Sequence, residues 1–246
     1  MILERIVRSK IDEVAGLRRK KRSLAAALAG PGVTVIAEVK KASPSKGVIR
    51  EDFDPLSLAR AYGAGGAGAV SVVTDGPFFQ GSADVFRQVR SVIDLPLLRK
   101  DFLIDPLQVY ESLFLGADVV LLIVAAVGDA LEDLIALASS LGMESLVEVH
   151  DEGELHRALE AQAPILGVNN RDLRDFSVDL AVTERLVAER DRLGDCRPVV
   201  AESGIFCRAD VERLAACGAA GILVGEALVR SDDPASLIAS LRGMTP

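Results

Sequence analysis

The chain has 246 residues and a mass of 26.1 kDa, which suits one large domain or two small ones. Half of it is hydrophobic and 26% charged, a globular balance, yet only 4% is aromatic and Trp is absent, so the core is expected to be aliphatic. A net charge of −8 argues against a nucleic-acid surface, and the longest apolar run, Val119 to Val127, is half of the roughly 18 residues a membrane span needs.

The first segment, MILERIVRSKIDEVAGLRRKKR, alternates charge with aliphatic residues and offers neither an uninterrupted apolar stretch nor a small-residue cleavage site. A cytoplasmic location is the expectation. Its spacing predicts one or two helices within residues 1–30, with Ile6, Ile11, Val14 and Leu17 on one face. The run Arg18 to Arg22 reads as the solvated end of that helix, where cations suit the C-terminal dipole.

From there short runs rich in Val, Ile and Leu recur: VTVIAEV from 33, AVSVVT from 69, LPLLRKD from 95, DVVLLIV from 118, SLVEV from 145, PILGVNN from 164, PVVAES from 198 and GILVGE from 221. Little alternation and flanking Gly, Pro or Asp suit strands buried on both faces of a parallel sheet. Between them lie segments with apolar residues at three and four spacing, from DPLSLARAYGAGG to DDPASLIASLRG. Several open with Asp or Asp-Pro and end in Gly, the start and stop signals of helices. Eight such units predict a closed (β/α)8 TIM barrel with an N-terminal helical extension, in a single domain over 1–246. A doubly wound open sheet is the alternative, and the even rhythm favours the barrel.

Function then has an address, because active sites in barrels sit where the strands end. Gly63 to Gly68 formally matches GxGxxG, but it follows a helix and precedes a strand, the reverse of a dinucleotide site. Glu38 and Lys40 are two apart at the end of the first strand, so both face the barrel mouth, as an ion pair or as working groups. The loop SPSKG that follows, Ser43 to Gly47, reads as flexible, positively charged and suited to an anion. The third strand places Arg99, Lys100 and Asp101 at the same rim, where desolvation and neighbouring cations are expected to lower a lysine's pKa toward neutrality. Glu148 points inward from the fifth strand, Asn169, Asn170 and Arg171 cluster after the sixth, and Glu202, Ser203 and Gly204 end the seventh. Gly204 and Gly225 follow the last two strands, where barrels hold phosphate with backbone N–H groups, so a phosphorylated small molecule is the expected ligand. His150 and His156 fit no metal or nucleophilic pattern and read as surface or supporting groups, and Cys196, Cys207 and Cys217 as free, packed thiols.

Seven strings in this order, VIAEVKKASPSKG, LPLLRKDFLID, ADVVLLIVAA, LVEVHDEGEL, LGVNNRDL, VAESGI and GILVGEALVR, resemble the indole-3-glycerol phosphate synthase family over nearly the whole chain. The resemblance implies a carboxy-lyase of tryptophan biosynthesis that closes the indole ring, with no cofactor and no metal. It implies that Lys100 is the general acid, Lys40 the anchor of the substrate carboxylate, Glu148 the acid-base glutamate, and Glu38 the carboxylate that orients the lysines. Asn169, Arg171 and Glu202 match substrate-orienting positions; Ser43, Ser203, Gly204 and Gly225 match the phosphate end; and Phe79, Phe102 and Pro44 face the aromatic ring. Two departures stand out. Glu226 occupies a position that is often Ser in the family, leaving only its backbone N–H for phosphate, and Lys41 replaces a common Arg. The readings left open are another phosphate-binding barrel such as phosphoribosylanthranilate isomerase, and a non-catalytic barrel subunit. A monomer or weak homodimer is expected, with loose association with other enzymes of the pathway left open.

Overall fold

The computed structural model describes residues 2–17, 22–172 and 174–244, with every side chain except those of residues 11–17. Eight parallel strands close a barrel: β1 (Thr34–Val39), β2 (Ala69–Val73), β3 (Leu97–Lys100), β4 (Val119–Ile123), β5 (Glu144–Val149), β6 (Ile165–Asn169), β7 (Val199–Glu202) and β8 (Gly221–Val224). The ring closes by β1 pairing with both β2 and β8, as in Glu38 opposite Ser71 and Ile36 opposite Leu223. All eight expected strands are present, and the open-sheet alternative is excluded.

The eight expected helices follow their strands: α3 (Pro55–Ala64), α4 (Ala83–Val92), α5 (Pro106–Leu115), α7 (Leu131–Ser140), α8 (Glu152–Glu160), α9 (Ala181–Arg192), α10 (Arg208–Ala216) and α12 (Pro234–Leu241). Several of their starts are set by the signals in the sequence. Asp54 accepts from the N–H groups of Leu56 and Ser57 ahead of α3, Asp105 caps α5 and Asp233 caps α12, each before a Pro that cannot donate anyway. The glycine run after α3 is a turn, with Gly65 against the backbone of Ala235 so closely that no Cβ would fit.

Two further helices lie before β1, namely α1 (Ile2–Leu17) and α2 (Leu24–Leu28). Ile6 is exposed, and the face expected to include Ile11, Val14 and Leu17 lies outside the described side chains. Arg18 to Lys21 are likewise outside the described residues. Arg22 corrects the solvated reading: its guanidinium grips Asp94 at 2.6 Å and approaches Asp118 at 3.7 Å. Other segments also depart from expectation. The apolar run 119–127 turns from strand into a short helix, α6 (Val124–Val127), and residues Ala42–Ser43 and Gly47–Val48 form an antiparallel hairpin where a flexible loop was expected. A short helix, α11 (Glu226–Arg230), follows β8 as the sequence suggested. Among the cysteines, Cys196 and Cys207 are free but exposed, so only Cys217 is partly packed.

The core has two compartments. One lies between the strands and the surrounding helices, and includes Val35, Ala37, Tyr62, Phe86 and Leu155. The other fills the lower lumen, where Leu24 and Leu28 of α2 cover Ile36, Leu98, Leu146 and Val200. The plug is tied down by Glu144, at the start of β5, whose carboxylate accepts from Ser23 Oγ at 2.5 Å and from the backbone N–H of Leu24 at 2.6 Å. That side chain satisfies donors at the helix start that would otherwise be orphaned. No helix among the described residues is long and apolar enough to cross a membrane.

Candidate active site

Side chains two apart on a strand share a face, so the residues two beyond the apolar floor also point into the lumen. These are Glu38, Lys100, Glu148 and Glu202, one from each odd-numbered strand. The three carboxylates are at most 3% exposed. Burial of this kind is costly unless every charge has a partner. Lys100 Nζ meets that need, at 2.8 Å from Glu148 Oε2 and 3.1 Å from Glu202 Oε2. Lys40 Nζ lies 2.6 Å from Glu38 Oε1, and Asn169 Nδ2 donates to Glu148 Oε1 at 3.0 Å.

These contacts set the protonation states. Burial works to lower the pKa of Lys100, but the attraction of Glu148, Glu202 and Glu38 outweighs it and raises the value well above that of a free lysine. The expectation of a lysine lowered toward neutrality is therefore wrong: its neighbours are carboxylates, not cations. For Glu148 burial is likewise outweighed, by Lys100 and His150, and the group is held ionised. Glu202 goes the other way. Burial, with repulsion from Glu148 and Glu38, raises it to about 7 against the pull of Lys100. Its Oε1 has no hydrogen-bond partner, and Gly167 on β6 leaves the space it occupies, since a Cβ there would sit 2.5 Å away.

All the residues to which the resemblance gives a role line one cavity at the C-terminal end of the strands, including Ser43, Pro44, Phe79, Phe102, Arg171, Ser203, Gly204, Gly225 and Glu226. Phe79 and Phe102 form one wall, with ring centroids 6.3 Å apart. Ser203 and Gly204 both adopt left-handed backbone, at φ +67° and +79°. At Gly204 a Cβ would also press on Val178 at 2.5 Å, so glycine is required there. Gly225 is hemmed in by Glu38 and Lys40. Glu226 turns toward Arg230 at 3.0 Å, which pairs its charge.

Arg99 does not belong to this cavity. Neighbours along a strand face opposite ways, so with Lys100 inward Arg99 points outward, where it binds Thr74, Ser112, Asp101 and Glu111. Asn170 similarly turns out to hold the backbone of Glu202 and Ser203. Sequence reading missed Phe176 and Phe206, which also line the cavity, so four of the eight phenylalanines gather there. In a chain so poor in aromatics, Phe176 and Phe206 in strand-end loops were themselves a signal.

Comparisons with known proteins bear on the whole chain. The family model described as indole-3-glycerol phosphate synthase matches residues 3–241. Indole-3-glycerol phosphate synthase of Petrotoga mobilis is 45% identical over 98% of this chain and 96% of its own length. The Azospirillum brasilense protein of that name is 51% identical over 86% and 80%, and indole-3-glycerol phosphate synthase 2 of Streptomyces coelicolor 49% over 96% and 90%. Among solved structures, thiamine phosphate pyrophosphorylase from Pyrococcus furiosus superposes with a TM-score of 0.64 at 18% identity, covering 86% of this chain and 94% of that one. That likeness concerns the fold alone.

Proposed function

The chain belongs to the indole-3-glycerol phosphate synthase family, and from that premise we propose how its cavity divides the work. The reaction converts 1-(2-carboxyphenylamino)-1-deoxyribulose 5-phosphate to indole-3-glycerol phosphate with loss of carbon dioxide and water, the chemistry of a carboxy-lyase. The isomerase and scaffold readings left open by the sequence are set aside. The observation that carries the proposal is Lys100 Nζ held between two buried carboxylates, Glu148 and Glu202, on the floor of an aromatic-walled cavity.

The ring carbon that bears the carboxylate attacks the ribulose carbonyl, and the carbonyl oxygen gains charge as the bond forms. Lys100, cationic and already desolvated, gives that oxygen its proton. Loss of carbon dioxide then returns an electron pair to the ring. The new hydroxyl leaves as water with a proton from a neighbouring acid, while Glu148 removes the proton whose loss completes the indole. Lys40 holds the substrate carboxylate, steered by Glu38, and shares proton transfer in the dehydration. Asn169, Arg171 and Glu202 orient the chain of hydroxyls. Ser43, Ser203, Gly204, Gly225 and the backbone N–H of Glu226 receive the phosphate, and Phe79, Phe102 and Pro44 flank the ring. We further propose a single domain over 1–246, a cytoplasmic location, and a monomer or weak homodimer.

The fluorescence of the indole product tests this directly on the synthetic substrate. Lys100→Ala should lower kcat by about a hundredfold or more, and near-normal turnover would remove Lys100 from the role of acid.

A further inference from the structure

His150 stands two residues beyond Glu148, just past the end of β5, and no step above uses it. Its ring is fixed from behind. Glu154 Oε2, on α8, lies 3.0 Å from Nδ1 and also accepts the His150 backbone N–H at 2.8 Å. That leaves Nε2 facing inward, buried and 3.3 Å from Glu148 Oε1, an ion-pair distance without the alignment of a hydrogen bond. Glu148 is therefore held from three sides, by Lys100, Asn169 and His150.

Those three holds are not equivalent during turnover. Lys100 must leave the carboxylate to reach the substrate oxygen, and Asn169 carries no charge. We propose that His150 is a positioning residue for the reaction: clamped by Glu154, its ring keeps its grip on Glu148 while Lys100 turns to the substrate, so the carboxylate keeps its direction and its charge. The histidine is suited to this because burial, which would strip its proton, is outweighed by Glu148 and Glu154, and its pKa is raised to about 10. On its outer side it shares a cavity with Asp151, Asp172, Asp179, Arg171, Arg174 and Arg185, three charges of each sign. The two glutamates in contact with the ring therefore decide the balance.

The inference rests on Glu148 being the acid-base glutamate, and a pH profile of kcat separates the two ideas. His150→Gln keeps the size of the side chain and removes the charge. It should lower kcat about tenfold with KM little changed, and move the acid limb of the profile upward by about one pH unit. Glu154→Gln should move the limb the same way by less. A limb that stays in place in His150→Gln overturns the proposal, whatever happens to the rate. In a Glu148→Gln background the His150→Gln change should have no further effect. The same tenfold loss in both backgrounds would overturn the link to Glu148 while leaving the role of Glu148 standing, whereas full activity of Glu148→Gln alone would overturn that role. His150→Ala adds a larger deletion, and its thermal unfolding reports whether the fold survives.

Discussion

At its lower end the barrel lumen is closed by Leu24 and Leu28 over Ile36, Leu98, Leu146 and Val200, and two residues further along the same four strands stand Glu38, Lys100, Glu148 and Glu202. One end is as apolar as any protein interior, and the other concentrates buried charge that must be paired to be tolerated. A strand rises about 3.3 Å per residue, so roughly 7 Å of backbone separates the part that supports the fold from the part to which we assign the chemistry. Neighbouring positions on one strand can thus be selected for stability and for reactivity with little trade between them.

The strongest way to break this division is from the top. Glu148→Gln should lower kcat by about a hundredfold while KM changes little, and its thermal unfolding should move far less than its rate; an effect on KM alone would make Glu148 a binding group. Leu24→Ala attacks the bottom. It opens a cavity under the apolar floor and should cost roughly 2 to 5 kcal/mol in denaturant unfolding, with kcat of the folded enzyme unaltered, and a loss of kcat in proportion would show that the two ends are coupled. The smallest effect concerns Glu202, where the two properties meet. Its pKa is raised from 4.5 to about 7, so the folded state favours its neutral form, and its contribution to stability is lost as pH rises from about 4.5 to about 7. Glu202→Gln should flatten that part of the stability profile and gain on the wild type above neutrality; an unchanged slope would mean the carboxyl is ionised throughout.

The sequence allowed the barrel to be read because the strand and helix signals repeat locally, with α3, α4, α5, α8 and α12 each starting on its own Asp or Ser cap. The site was legible for the same reason: charge at strand ends is locally conspicuous. What escaped depends on neighbours distant in sequence. The pKa of Lys100 is set by carboxylates from β1, β5 and β7, which no reading of LLRKDF can supply. Gly167 looks like a weak point in a strand until Glu202 is found against it. His150 looks peripheral until Glu154 turns it toward Glu148. Arg99 is different, since the alternation that placed Lys100 inward already placed its neighbour outward.

The division between odd and even strands has a consequence for engineering. The charged ring comes from β1, β3, β5 and β7, while Val73, Leu121, Ile123 and Leu223, on β2, β4 and β8, meet the same cavity with aliphatic side chains. Those four form a second, independent set of handles. Trimming or enlarging them would resize the chamber while leaving the charged groups proposed to handle protons on their own staves.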